Sequence, residues 1–136
     1  MNLKSASALL IAVGISTAAL AADPDTSKLP PASTKTGVTY ATDIKPIFDA
    51  SCVKCHGEQK PKGKLRLDSL EGVMKGSEDG KVIEPSNSAK SMLVLNVGHL
   101  GDEDDYMPPP KNKLGIKDLT PDQIGLIRAW IDQGAK

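Results

Sequence analysis

The stretch Cys52-Val53-Lys54-Cys55-His56 most constrains what this chain can become, because it holds both cysteines and one of the two histidines. Two thiols separated by two residues fall about one helical turn apart, and an imidazole follows at once. Three chemistries use such a cluster: a redox disulfide, a metal site, and covalent attachment of haem. A thioredoxin-like dithiol sits in a βαβ setting, which the surrounding sequence does not offer. Structural zinc asks for four ligands in paired spacings, and only the distant His99 is left to complete a set. A plain Cys52–Cys55 disulfide is the remaining alternative. Haem attachment accounts for every residue of the motif. Each thiol adds across one vinyl group, and His56, directly after the second thioether, reaches beneath the ring to bind iron.

The compartment agrees with that chemistry. Met1-Asn2-Leu3-Lys4 carries one positive charge, Ala6 to Leu20 is small and apolar, and Ala19-Leu20-Ala21 suits a signal peptidase. Residues 1–21 are therefore expected to be a signal peptide. The strongly apolar part is shorter than the ~18–20 residues that span a bilayer. The mature chain is expected to be periplasmic or otherwise exported, soluble, and without stable membrane insertion. With 17 basic and 17 acidic residues in 136, there is no basic excess to attract nucleic acid. One Phe, one Trp and two Tyr are few rings for a core, which is compatible with a large buried cofactor.

Residues 22–37, "ADPDTSKLPPASTKTG", lack apolar periodicity and read as an extended, mobile segment. The folded domain is expected over 38–136, with an all-α layout. A first helix is predicted from Thr42 as N-cap, with Asp43 in the opening turn and Ile44, Ile47 and Phe48 on one face. It delivers the cysteine motif at its C-terminal end. A last helix opens with Thr120-Pro121-Asp122-Gln123, a cap, a proline at the first position and a Gln closing a capping box. Ile124, Ile127 and Ile131 form its stripe, Trp130 lies beside it, and Gly134 stops it. Between the two, 64–68 reads as extended, 69–75 as a helical turn, 88–97 as a short helix, and 101–115 as a loop.

A second axial ligand is sought among Met74, Met92, His99 and Met107. Met107 stands before Pro108-Pro109-Pro110, which stiffens the chain around it. A soft thioether on a rigid polar loop is hard to explain as packing, so Met107 is the expected ligand. Met74 and Met92 read as packing residues, and His99 as a turn histidine with bis-histidine ligation the alternative. His/Met coordination raises the reduction potential and leaves no open site for oxygen or peroxide.

These segments resemble the small class I cytochromes c, and in particular the planctomycete-type cytochrome c domain. The resemblance rests on "DIKPIFDASCVKCHG" (43–57), "KGKLRLDSLEGVMKG" (63–76), "MPPP" (107–110) and "LTPDQIGLIRAWIDQGA" (119–135). It implies a fold in which the N- and C-terminal helices cross near one covalently bound haem c, with short helices and long loops between. It also implies that Phe48 packs on the last helix against Trp130. Arg66, in "LRLD", is either solvated between Leu65 and Leu67 or paired with a haem propionate. Lys54, Lys60, Lys62 and Lys64 surround the attachment motif, either as a solvated face or as a rim that suits an acidic redox partner. The partner of the other His56 nitrogen stays open, with a carbonyl near Pro61 as the one candidate. The function expected is one-electron transfer between protein redox partners by a monomeric monohaem carrier that is not itself an enzyme. Two alternatives stand beside it: a haem-bearing module or subunit of a larger exported enzyme, and a haem-based sensor or peroxidase-like protein.

Overall fold

Helix α5, Pro121–Asp132, organises the computed structural model, which describes residues 23–136. The expected signal peptide lies outside the described residues. Thr120 caps α5 as its sequence predicts: the Gln123 N–H donates to Thr120 Oγ1 (3.2 Å), and the Thr120 N–H donates to Gln123 Oε1 (2.8 Å). Ile124, Ile127, Trp130 and Ile131 are all buried, so the stripe faces the core.

The first helical stretch begins earlier than expected. Thr39, not Thr42, is the N-cap, and its hydroxyl accepts from the Thr42 N–H. Asp43 reaches back to the Thr39 N–H (2.9 Å), so the two side chains close the first turn reciprocally. A π-helical turn, Tyr40–Ile44, then passes into α1, Lys45–Ser51. The wider turn brings Tyr40 into the core along with Ile44, Ile47 and Phe48. Phe48 and Trp130 meet edge to face with ring centroids 6.5 Å apart, which joins α1 to α5 as the resemblance implies. Tyr40 completes the cluster, 6.2 Å from Phe48 and 5.9 Å from Trp130. Three of the chain's four large aromatic side chains thus sit in one contact group, a packing arrangement in which such pairs add to simple burial.

Short elements fill the middle. Helix α2 is Val53–His56, α3 is Leu70–Lys75 with Ser69 as its cap, and α4 is Met92–Val97. The 88–97 segment is split: Ser88–Lys90 is a 3-10 turn, and Ser91 breaks it from α4. Among the described residues there is no strand, only an isolated bridge between Ser77 and Gly80. The all-α expectation holds. No described helix is long and apolar enough to cross a membrane.

Residues 23–37, expected to be extended and mobile, begin with a 3-10 turn, Thr26–Lys28, and are held against the domain. The Ser33 N–H donates to the Gly125 carbonyl (2.9 Å), Arg128 donates to the Pro30 carbonyl, and Gln133 donates to the Lys35 carbonyl (2.8 Å). Gly125 permits this approach, since a β-carbon there would fall 2.7 Å from the Pro31 carbonyl oxygen. Leu29 is the segment's buried anchor. The tie continues inward: Arg128 Nε donates to Ser88 Oγ (3.1 Å), and Ser88 donates to Asp132 through its N–H (2.7 Å) and its hydroxyl (3.0 Å). The prolines at 30 and 31 lower the entropy lost on ordering such a strap.

Candidate functional site

The cysteine motif winds around a single carbonyl. The Cys52 N–H closes α1 on the Phe48 carbonyl (2.8 Å), and the Cys52 carbonyl then accepts from both Cys55 (3.0 Å) and His56 (2.9 Å). Cys52 has φ −123° and ψ −40°, which marks the joint between α1 and α2. The two thiols and the imidazole thereby follow one another around one turn. Gly57 ends it where a β-carbon would lie 2.6 Å from the Val53 carbonyl oxygen, so the chain leaves the turn at a spot that no larger residue fits.

Segment 62–67 backs His56. The Leu67 N–H donates to the His56 carbonyl (2.7 Å), and the Tyr40 hydroxyl donates to the Leu67 carbonyl (2.9 Å). Burial lowers the proton affinity of the imidazole, while the Leu65 and Lys62 carbonyls raise it in part. Neither carbonyl reaches hydrogen-bond geometry with Nδ1, which is buried and unpartnered. Both carbonyls follow Pro61, Lys62 next to it and Leu65 farther along, so the expected partner near Pro61 is not engaged. Burial, and then the charge on Cys55, push the Cys52 thiol up to about 12. A redox-active dithiol needs the opposite, a stabilised thiolate.

Cys52, Cys55 and His56 open onto a cavity of about 450 Å³. Its wall also includes Phe48, Leu65, Leu67, Leu93 and Val97 from the core side. Met107 and Pro108–Pro110 line it from the loop between α4 and α5. The volume is in the range of cofactor sites, and the lining is largely apolar with a few polar groups, as such sites require. The donor set fits a haem: two thiols two residues apart, an imidazole directly after them, and a thioether from a distant segment lining the same cavity. Among the described residues, no three His, Cys, Asp or Glu side chains form a metal cage.

Met107 is half-buried against the core, and its N–H donates to the Asn96 carbonyl of α4 (3.0 Å). His99 does not line the cavity; its ring stacks on Tyr106. Met74 packs against the core as expected. Met92 does not: it is 50% exposed, because Leu93, Val94 and Val97 take the inward face of α4. Arg66 is also absent from the cavity wall, and its guanidinium is committed to Asp68 by two hydrogen bonds (3.0 and 2.8 Å). Of the lysines near the motif only Lys62 lines the cavity, and Lys64 pairs with Glu78 (3.5 Å). Lys111 and Lys113 stand at the wall with it, beside Leu114, which is 53% exposed. Nothing local in the sequence marks these two lysines, since the loop alone brings them there. Tyr40 was missed for a similar reason: only the fold reveals its link through Leu67 to His56.

Residues 52–111 match the family described as Planctomycete cytochrome C. Hydrazine synthase subunit alpha of Kuenenia stuttgartiensis is 29% identical over 123 residues, covering 73% of this chain and 15% of that protein. The chain therefore spans a small part of that relative's length. No solved structure matches the chain.

Proposed function

From a c-type cytochrome domain of the Planctomycete cytochrome C family, matched over residues 52–111, we propose that this chain is an exported monohaem electron carrier with His/Met ligation. The observation that carries this reading is the single cavity lined by Cys52, Cys55, His56 and Met107. The cytochrome c family implies covalent haem c, and that group supplies a one-electron Fe(III)/Fe(II) couple. Cys52 and Cys55 are the tethers, and His56 is the proximal ligand held by segment 62–67. Met107 is the distal ligand, presented by a loop fastened to α4. The apolar wall keeps water from the site, and two ligands retained in both oxidation states keep reorganisation small. Lys62, Lys111 and Lys113 at the wall, with the exposed Leu114, favour a protein redox partner with an acidic rim and an apolar centre.

A second reading is favoured by one observation. A segment similar to this chain forms 15% of hydrazine synthase subunit alpha, so the domain also suits a place as a haem-bearing module of a larger exported enzyme. Co-purification of the native protein with a stoichiometric partner supports the module; a lone monomer supports the diffusing carrier.

The ligand assignment is tested by absorption spectra of the haem-loaded protein and its Met107→Ala variant. The parent is expected to show a sulfur-to-iron charge-transfer band when oxidised and to refuse carbon monoxide when reduced. Met107→Ala is expected to lose the band, lower the potential and bind carbon monoxide. An unchanged spectrum and potential in the variant would remove Met107 from the iron.

A further inference from the structure

We propose that His99 is a positioning residue that clamps the loop carrying Met107 through its ring stack on Tyr106. The consequence for iron ligation rests on the His/Met reading above; the clamp itself does not.

The backbone at His99 is costly. Helix α4 ends at Gly98, which has an ordinary φ of −84°, and the left-handed position falls instead on His99 at φ +53°. The Leu100 N–H returns to the Leu95 carbonyl (2.9 Å) to finish this helix end. Glycine is the residue that takes such a position without strain. The imidazole adds a further cost: Nε2 is buried without a hydrogen-bond partner, and Asp118 Oδ1 at 3.8 Å is too far to be one. By helix-end chemistry alone His99 is a poor choice.

The side chain offsets that cost in one place. Its ring lies 4.7 Å from the Tyr106 ring at an interplanar angle of 4° and is only 27% exposed. Tyr106 directly precedes Met107, and the Met107 N–H is held by the Asn96 carbonyl, one turn before His99 on α4 (3.0 Å). The end of α4 and His99 just beyond it thus grip two consecutive loop residues, one through a backbone carbonyl and the other through a ring. On its N-terminal side the loop has only a 3-10 turn, Glu103–Asp105, so these two grips fix where the thioether stands. His99 does not touch the cavity and acts through Tyr106.

The test uses the haem-loaded protein with His99→Gly, His99→Phe and Tyr106→Ala, and reads amide exchange at the Met107 N–H beside the unfolding midpoint. His99→Gly relieves the backbone, so a purely local structural role predicts an unchanged or raised midpoint and unchanged exchange. The clamp predicts the same midpoint with about tenfold faster exchange at Met107. Tyr106→Ala is expected to speed exchange similarly, with no further gain when combined with His99→Gly, and His99→Phe is expected to restore protection to within about twofold. Unchanged Met107 exchange in His99→Gly, or a loss shared equally by all core amides, overturns the proposal. Exchange reports on the clamp whether or not sulfur binds iron, so an unaltered Met107→Ala spectrum would sink the ligand reading and leave the clamp standing. Where both hold, reduced His99→Gly also gains carbon monoxide binding that His99→Phe lacks.

Discussion

The two walls of the cavity are built on different principles. On the attachment side, Cys55 and His56 stand on α2 and Cys52 at its joint with α1, and behind them Phe48, Trp130 and Tyr40 interlock in the core. On the Met107 side there is a loop between α4 and α5 whose order comes from individual contacts: the Asn96 carbonyl, the His99–Tyr106 stack, and Asn112. The first wall is part of the buried core, so it is expected to open only with global unfolding. The second is a local unit that can loosen while the rest stays folded, because few buried apolar contacts tie it down. On the proposed ligation, the rigid wall keeps the cofactor and the soft one sets its potential.

Trp130→Ala gives the largest expected effect and belongs to the rigid wall. Trp130 is fully buried, and its indole N–H donates to the Lys136 carbonyl (3.0 Å). Truncation should cost about 3–5 kcal/mol of global stability, seen as a lowered denaturant midpoint of the haem-loaded protein. Amides of 107–116 that exchange by local opening should keep their rates. Asn112→Ala is the converse. Its amide donates to the Ile116 (2.8 Å) and Pro109 (3.2 Å) carbonyls and accepts from the Ile116 N–H (2.9 Å). Removing it should cost about 1–2 kcal/mol of loop closure, with faster exchange in 107–116 and little change in the global midpoint. If both variants shift the same amides in parallel, the two walls are one cooperative unit and the contrast fails.

The rigid wall was also the legible one. The capping box at Thr120 and Gln123 and the isoleucine stripe of α5 are local signals, and a helix needs little else to declare itself. Thr42 reads as the cap, and Thr39 takes that place because starting there buries Tyr40, a tertiary effect. In α4 the unbroken run Met92-Leu93-Val94-Leu95 hides its own period, so the outward face of Met92 could not be read. The strap over 23–37 carries almost no apolar signal, and its order comes from Gly125, Arg128 and Gln133, far along the chain. The candidacy of Met107 came from its prolines, yet what holds it there, His99 and Asn96, involves contacts across a turn and a loop. Local patterns announce elements; the placement of a loop against an element is settled by side chains that meet only in the fold.

The smallest expected effect tests the polar link inside the rigid wall. Tyr40 donates to the Leu67 carbonyl, and Leu67 donates to the His56 carbonyl, so a single phenol supports the segment behind His56. Tyr40→Phe keeps the ring and should cost about 1 kcal/mol at pH 7 for the lost hydrogen bond. Its pH dependence is more telling. Burial, with the nearby charges of Asp49 and Asp68, pushes the Tyr40 hydroxyl up to about 12 from 10.0. Below pH 10 the phenol is protonated in the folded and unfolded chains alike, and its stabilising bond is fully present. Between pH 10 and about 12 the unfolded chain releases the proton while the folded one must keep it, so that contribution drains away as pH rises. Phenylalanine has no proton to lose. The urea midpoint of Tyr40→Phe should therefore lie below the parent at pH 7 and close the gap from pH 10 upward. A gap that stays constant from pH 7 to 11 would mean that the hydroxyl is not sequestered in the rigid wall, and that this wall is more open than its packing implies.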